Sequence, residues 1–190
     1  MALPHAILVS LCEQTGSGYE LARRFDRSIG YFWAATHQQI YRTLRTMEDN
    51  GWVHVTEVAQ RGRPDKKVYS VADAGRAELA RWIAAPPAGK GQRGPVADNR
   101  TRDLAVKIRG AGHGGPDDLD AVREQVVSLR AERAELLDIY RGFEKRQFPD
   151  PHALTGPELR QYLVLRGGIT TEQSTVAWLD EVATALEDTP

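Results

Sequence analysis

The sequence predicts a mainly α-helical protein with one small β-hairpin, its helices short before Ala85 and long after Asn99. Three observations carry this. Two helix-opening capping boxes, "SGYE" and "THQQ", lie within the first 40 residues. An alternating segment, "WVHVTEVAQRGRPDKKVYSV", supplies two strands joined by a Gly/Pro turn. A heptad run of apolar residues then extends from Leu119 to Phe143.

The first helix follows Pro4, which suits a first helical turn, and Ile7, Leu8 and Leu11 form its apolar stripe. After the turn "QTGSG", Ser17 caps a second helix with Glu20 three residues on. Leu21 and Phe25 face inward there, while Tyr19, Arg23 and Asp26 point away. Thr36 and Gln39 open a third helix whose stripe is Ile40, Leu44 and Met47, with Gly51 placed to end it. Opposite that stripe, within about 60° on a 3.6-residue wheel, lie Gln38, Arg42 and Arg45, with Tyr41 at their edge and Asp49 as the one acid of that face.

Val53 and Val55, then Val68, Tyr69 and Val71, alternate as strands, and the connection between them carries Arg61, Arg63, Lys66 and Lys67 against Asp65. "ADAGRAELARWIAA" forms a fourth helix. Three helices followed by a basic-tipped hairpin is the order of a winged helix-turn-helix, with the third helix as its groove-reading element.

Residues 86–99, with Pro86, Pro87 and Pro95 among three glycines, suit a linker or loop. They separate a domain over 1–85 from an all-helical domain over 100–190. In the latter, a short helix around "NRTRDLAVKIRG" precedes a long one. Leu119, Val122, Val126, Leu129, Leu136, Tyr140 and Phe143 keep the heptad, with Arg133 on the same seam, where snorkelling outward is favoured over a register role. A helix of ~30 residues is ~45 Å long, too long to bury itself in a small domain. The last helix adds Val176 and Leu179, and Gly167-Gly168 suggests a bend or close approach. These long amphipathic helices predict a homodimer buried along Leu119, Val122, Val126, Leu129, Leu136, Tyr140, Phe143, Val176 and Leu179.

Net charge is −1, but residues 1–85 carry +2 (11 Lys/Arg, 9 Asp/Glu) and 86–190 carry −3 (14 against 17). Any basic surface is therefore local. Cys12 is the sole cysteine, so no internal disulfide forms, and a cytoplasmic setting is expected. No apolar run has the length of a membrane span. His5, His37, His54, His113 and His152 are scattered, and no phosphate loop, nucleophile elbow or metal-ligand spacing is present, so neither catalysis nor a cofactor is expected. Trp33, Trp52, Trp82 and Trp178 suit core or interface packing.

The stretches "GYELARRF", "QQIYRTLRTMEDNGWV", "GRPDKKVYSVADAGRAEL" and the terminal "YLVLRGGITTEQSTVAWLDEV" together resemble the PadR family of bacterial transcriptional regulators. The resemblance covers nearly the whole chain outside 86–99. It implies a winged-helix domain, a helical dimerisation domain, repression at an inverted-repeat operator of double-stranded DNA, and release by small aromatic or xenobiotic effectors. It matches Tyr19 and Tyr41 to operator-contacting tyrosines, and Lys66 and Lys67 to the wing. Ala72 departs from the family's usual Thr before the fourth helix, and Asp73 is expected to cap instead; the Gly/Pro insert is a second departure.

The expected DNA-contacting set is thus Tyr19, Thr36, Gln38, Gln39, Tyr41, Arg42, Arg45, Arg61, Arg63, Lys66 and Lys67. Arginine suits bidentate contact with guanine and glutamine with adenine, while the helix N-terminus and the Thr36 hydroxyl suit phosphate. The competing expectation is a dimeric protein-interaction or ligand-binding module that uses the winged helix without reading DNA.

Overall fold

The computed structural model describes residues 3–27, 35–59, 65–86 and 95–187. They form two compact units, residues 1–122 and 123–190.

The first unit is built around α1 (Leu3–Glu13), in which every residue from His5 to Leu11 is buried. Sequence periodicity marks only three of these as a stripe. The structure surrounds the helix with α2 (Gly18–Arg27), α3 (His37–Asp49), β3 (Lys66–Val71), α4 (Asp73–Ala84) and α5 (Pro95–Gly110). Even His5 is enclosed. Its ring stacks on Trp82 with centroids 4.3 Å apart, and its Nε2 lies 2.9 Å from Glu78 Oε1. Burial pushes the His5 imidazole below its ordinary value, against the opposing pull of Glu78.

The two capping boxes of the first 40 residues form. Ser17 N donates to Glu20 Oε2 at 2.8 Å, and Glu20 N donates to Ser17 Oγ at 3.3 Å. In α3, Gln39 N donates to Thr36 Oγ1 at 3.2 Å, and Thr36 N donates to Gln39 Oε1 at 2.9 Å. That helix ends in a Schellman motif: Gly51 takes φ 69°, its N–H donates to Glu48 O, and Trp52 N–H donates to Met47 O. The turn delivers the chain directly into β2 (Val53–Val58).

β2 and β3 pair antiparallel, with Val53 opposite Val71 and Val55 opposite Tyr69. The sheet has a third strand the sequence reading missed. β1 (Gly16–Ser17) pairs with β3, so the order is β1-β3-β2. Two residues are too few for period-2 alternation to register. A second correction concerns α4: its N-cap is Ala72, with no side-chain capping bond, and Asp73 is the first helical residue. The acid acts there as a charge in the positive first turn rather than as a cap.

The expected boundary also moves. Of the 86–99 linker, residues 87–94 lie outside the described residues, but the chain is already helical from Pro95. α5 belongs to the first unit, where Gly110 faces Val9 and Ile83. Arg109 Nε pairs with Glu13 Oε1 at 2.7 Å, and buried Lys107 donates to the Ala85 carbonyl at 2.5 Å.

In the second unit, α6 (Asp118–Gln147), from Arg123 onward, and α7 (Gly156–Glu187) run antiparallel, cross-linked along their length. Arg123 Nε donates to Leu186 O at 2.9 Å, Arg130 pairs with Asp180 at 2.8 Å, Arg133 with Glu172 at 3.1 Å, and Arg166 with Glu144 at 3.3 Å. Gly168 sits in an unbroken helix, and a Cβ there would lie 3.2 Å from the Tyr140 ring, so the glycine serves close approach rather than a bend. The heptad expectation is corrected on two points. Val122, Val126, Leu129 and Leu179 are at most 1% exposed within the single chain, so they offer no surface to a second copy. Arg133 does not snorkel outward; it is buried against Glu172, within the helix pair. Leu119, Leu136, Tyr140, Phe143 and Val176 are only partly covered.

Two stability outcomes follow. Leu44→Ala, at a fully buried position of α3, lowers unfolding free energy in urea by about 2–5 kcal/mol. Glu172→Ala removes the carboxylate paired with buried Arg133 and costs about 3–5 kcal/mol, whereas Arg133→Met combined with Glu172→Met stays close to the parent. Equal losses in the single and double variants would refute a cost that comes from breaking the buried pair.

Candidate nucleic-acid interface

The packing of α3 decides what the molecule presents. Ile40 and Leu44 are fully buried and Met47 is 1% exposed, so the opposite side must face outward. Gln38, Arg42 and Arg45 are all exposed there. Tyr41 flanks them, 46% exposed, and its ring lies across Gly18 at the start of α2. A Cβ at Gly18 would come within 2.4 Å of Tyr41 Cε1. The glycine therefore sets where the tyrosine rests, and the contact binds α3 to α2. Next to it Tyr19 is 59% exposed.

These side chains share one open groove of roughly 1230 Å³ with Ser17, Arg23, Lys66, Lys67 and Tyr69. Burial raises the Tyr69 phenol above its ordinary value. The structure thus brings together Tyr19, Gln38, Tyr41, Arg42, Arg45, Lys66 and Lys67 from three separate stretches of sequence. Thr36 and Gln39 are exposed beside them but engaged with each other in the capping box. Arg61 and Arg63 lie outside the described residues.

Two acids of the groove escape the sequence pattern. Asp65 opposes the wing cations as expected, but Glu20 and Glu48 line the groove as well, whereas Asp49, the one acid expected on the α3 face, is not among the lining residues. Glu48 follows Arg45 by three residues, a spacing that puts the two side by side on a helix. Glu20 could be read from sequence as a cap but not as a neighbour of the wing. Its Oε1 lies 2.7 Å from Lys66 Nζ, and its Oε2 accepts from Ser17 N and Oγ at 2.8 and 2.9 Å. Lys66 and the Ser17 donors hold the carboxyl down at about 2, far below its ordinary value. Lys66, expected on DNA phosphates, is thereby held against Glu20, whereas Lys67 is exposed.

Chemically, the groove offers planar forks and an amide suited to base edges, and phenols and an ammonium suited to phosphate. Among the described residues no group of three or more His, Cys, Asp or Glu side chains is placed to hold a metal ion. No described helix is long and apolar enough to cross a membrane.

Residues 7–81 match the family model of the transcriptional regulator PadR-like family, and residues 102–187 match that of the virulence activator alpha C-terminal region. The chain is 67% identical over 190 residues to the probable transcriptional regulator Rv1176c of Mycobacterium tuberculosis, covering 99% of each chain. It is 26% identical over 187 residues to the negative transcriptional regulator PadR of Bacillus subtilis, covering 97% of each. Among solved structures it is similar to Bacillus subtilis PadR in complex with operator DNA, at 24% identity over 98% of this chain and 99% of that one, with a TM-score of 0.45. It is also similar to the Vibrio cholerae virulence activator AphA, at 30% identity over 97% and 98%, with a TM-score of 0.41. At such TM-scores the kinship rests on sequence. With its groove-facing third helix and sequence relatives along its whole length, the chain belongs to the PadR-like family of transcriptional regulators.

Proposed function

We propose that this chain is a repressor that binds an inverted-repeat DNA operator as a homodimer and is released by a small aromatic or xenobiotic effector. One observation carries the DNA reading. Gln38, Arg42 and Arg45 stand exposed on a helix whose other side is fully buried, and they open into the groove that Tyr19, Tyr41 and Lys67 also line. An α3 so presented fits a major groove, where arginine pairs with guanine O6 and N7 and glutamine with adenine N6 and N7. Lys67 supplies phosphate attraction. Repression is supported by the relationship to the Bacillus subtilis negative regulator.

A second copy has apolar surface to cover on α7, where Leu163 is 57% and Val164 78% exposed. The half-burial of Leu119, Leu136, Tyr140, Phe143 and Val176 leaves further surface of the same kind. In such a dimer the two α3 helices read half-sites about 34 Å apart. An effector that releases DNA does so by binding the DNA-free arrangement more tightly, and the coupling is reciprocal.

Selection from a randomised duplex library tests the central statement: an inverted repeat should emerge. On that operator, Arg42→Ala or Arg45→Ala loses about 1–3 kcal/mol of binding and relaxes preference at one base position. Equal loss on operator and random duplex would remove the base-reading role. Gly18→Ala displaces the Tyr41 ring and weakens operator binding while circular dichroism stays helical. Val164→Glu, exposed in the single chain, moves the protein to monomer in sedimentation. A variant that stays dimeric would place the interface elsewhere.

A further inference from the structure

The two capping boxes of the DNA-reading half are built differently. α3 closes its box with a neutral amide, Gln39, and α2 with a carboxylate, Glu20. The cap itself requires only an acceptor at the third helical position, and either residue type provides one. Glu20 therefore adds something capping does not need: a negative charge inside a groove shaped for a polyanion.

That charge is well placed to act. Glu20 Oε1 lies 2.7 Å from Lys66 Nζ, the start of the wing's return strand, so the lysine's charge is locally cancelled. The carboxylate is not free to swing away, because Oε2 accepts from both the Ser17 N–H and its hydroxyl. Ser17 is in turn fixed by β1, which pairs it with Val68 two residues beyond Lys66. Arg24 feels the same carboxylate from the adjacent turn of α2. A carboxylate held down at about 2 stays ionised throughout the neutral range.

Resting on the DNA-binding reading above, we propose that Glu20 is an internal competitor for DNA phosphate: by holding Lys66 it withholds one cation from the duplex backbone and lowers affinity for DNA of any sequence. Base contacts by Gln38, Arg42 and Arg45 then carry a larger share of the binding. Phosphate contacts position without specifying, so one contact fewer weakens random and operator DNA alike and leaves discrimination to α3.

Glu20→Gln isolates the charge, since glutamine keeps the capping box that α3 already closes with Gln39. The full-length chain is titrated with a random-sequence DNA duplex at several salt concentrations, and thermal melting by circular dichroism confirms that each variant is folded. The variant is expected to bind more tightly at low salt and to show a log–log salt slope steeper by about 0.9, equal to about 3.5-fold more affinity lost between roughly 50 and 200 mM salt. Glu20→Gln combined with Lys66→Ala is expected to return to the parental slope. An unchanged slope, weaker binding in the single variant, or a slope that remains steep in the double variant would overturn the proposal. A parent chain with no affinity for duplex DNA would instead overturn the DNA-binding reading beneath it.

Discussion

The enclosure of α1 is the constraint on which the first unit depends. A helix buried from His5 to Leu11 on all sides must be covered by several elements at once, and here α2, α3, α4, α5 and β3 all meet it. Each of these spends its apolar side on that task. α3 contributes Ile40, Leu44 and Met47, and a helix committed along one stripe leaves its opposite face to solvent. The exposure of Gln38, Arg42 and Arg45 is therefore a consequence of core packing, not an independent feature.

The electrostatics of the groove are finer than its composition suggests. Arg23, Arg42, Arg45, Lys66 and Lys67 line it together with Glu20, Glu48 and Asp65. In a chain of net charge −1, the attraction for a polyanion comes from where these charges point. The pairing of Lys66 with Glu20 also ties α2 to β3, so the same contact that positions the wing moderates its charge. Tyr41 has a comparable double role, because its ring closes the space over Gly18 while half of its surface remains exposed to the groove.

The second unit settles its long helices by a different route. Antiparallel pairing buries one seam of α6 and α7 within the chain, and the ladder from Arg123–Leu186 to Glu144–Arg166 fixes their register. Burial of Arg133 and Glu172 at the middle of that ladder penalises a slip, which would pull a buried charge pair apart. The most exposed apolar side chains left outside are Val164, Val127 and Leu163, none of them singled out by the heptad pattern, while the heptad residues Leu119, Leu136, Tyr140 and Phe143 stay half-buried.

Local chemistry was enough to make much of this legible in the sequence. Both N-terminal capping boxes, the Schellman end at Gly51, the hairpin strands and the outward trio on α3 depend on spacings within a few residues, where side-chain type dictates backbone geometry. The two-residue β1, the cap-free start of α4 at Ala72 and the membership of α5 in the first unit were not legible. They are decided by partners distant in sequence: Tyr69 for Gly16, Trp52 O for Ala72 N, and Glu13 for Arg109. The heptad showed that α6 has an apolar seam but could not name the partner, since an antiparallel helix of the same chain and a second copy bury such a seam by the same physics. Only the fold could place Glu20 beside Lys66, 46 residues apart in sequence, because a charge pair across α2 and the wing exists only once β1 has drawn them together.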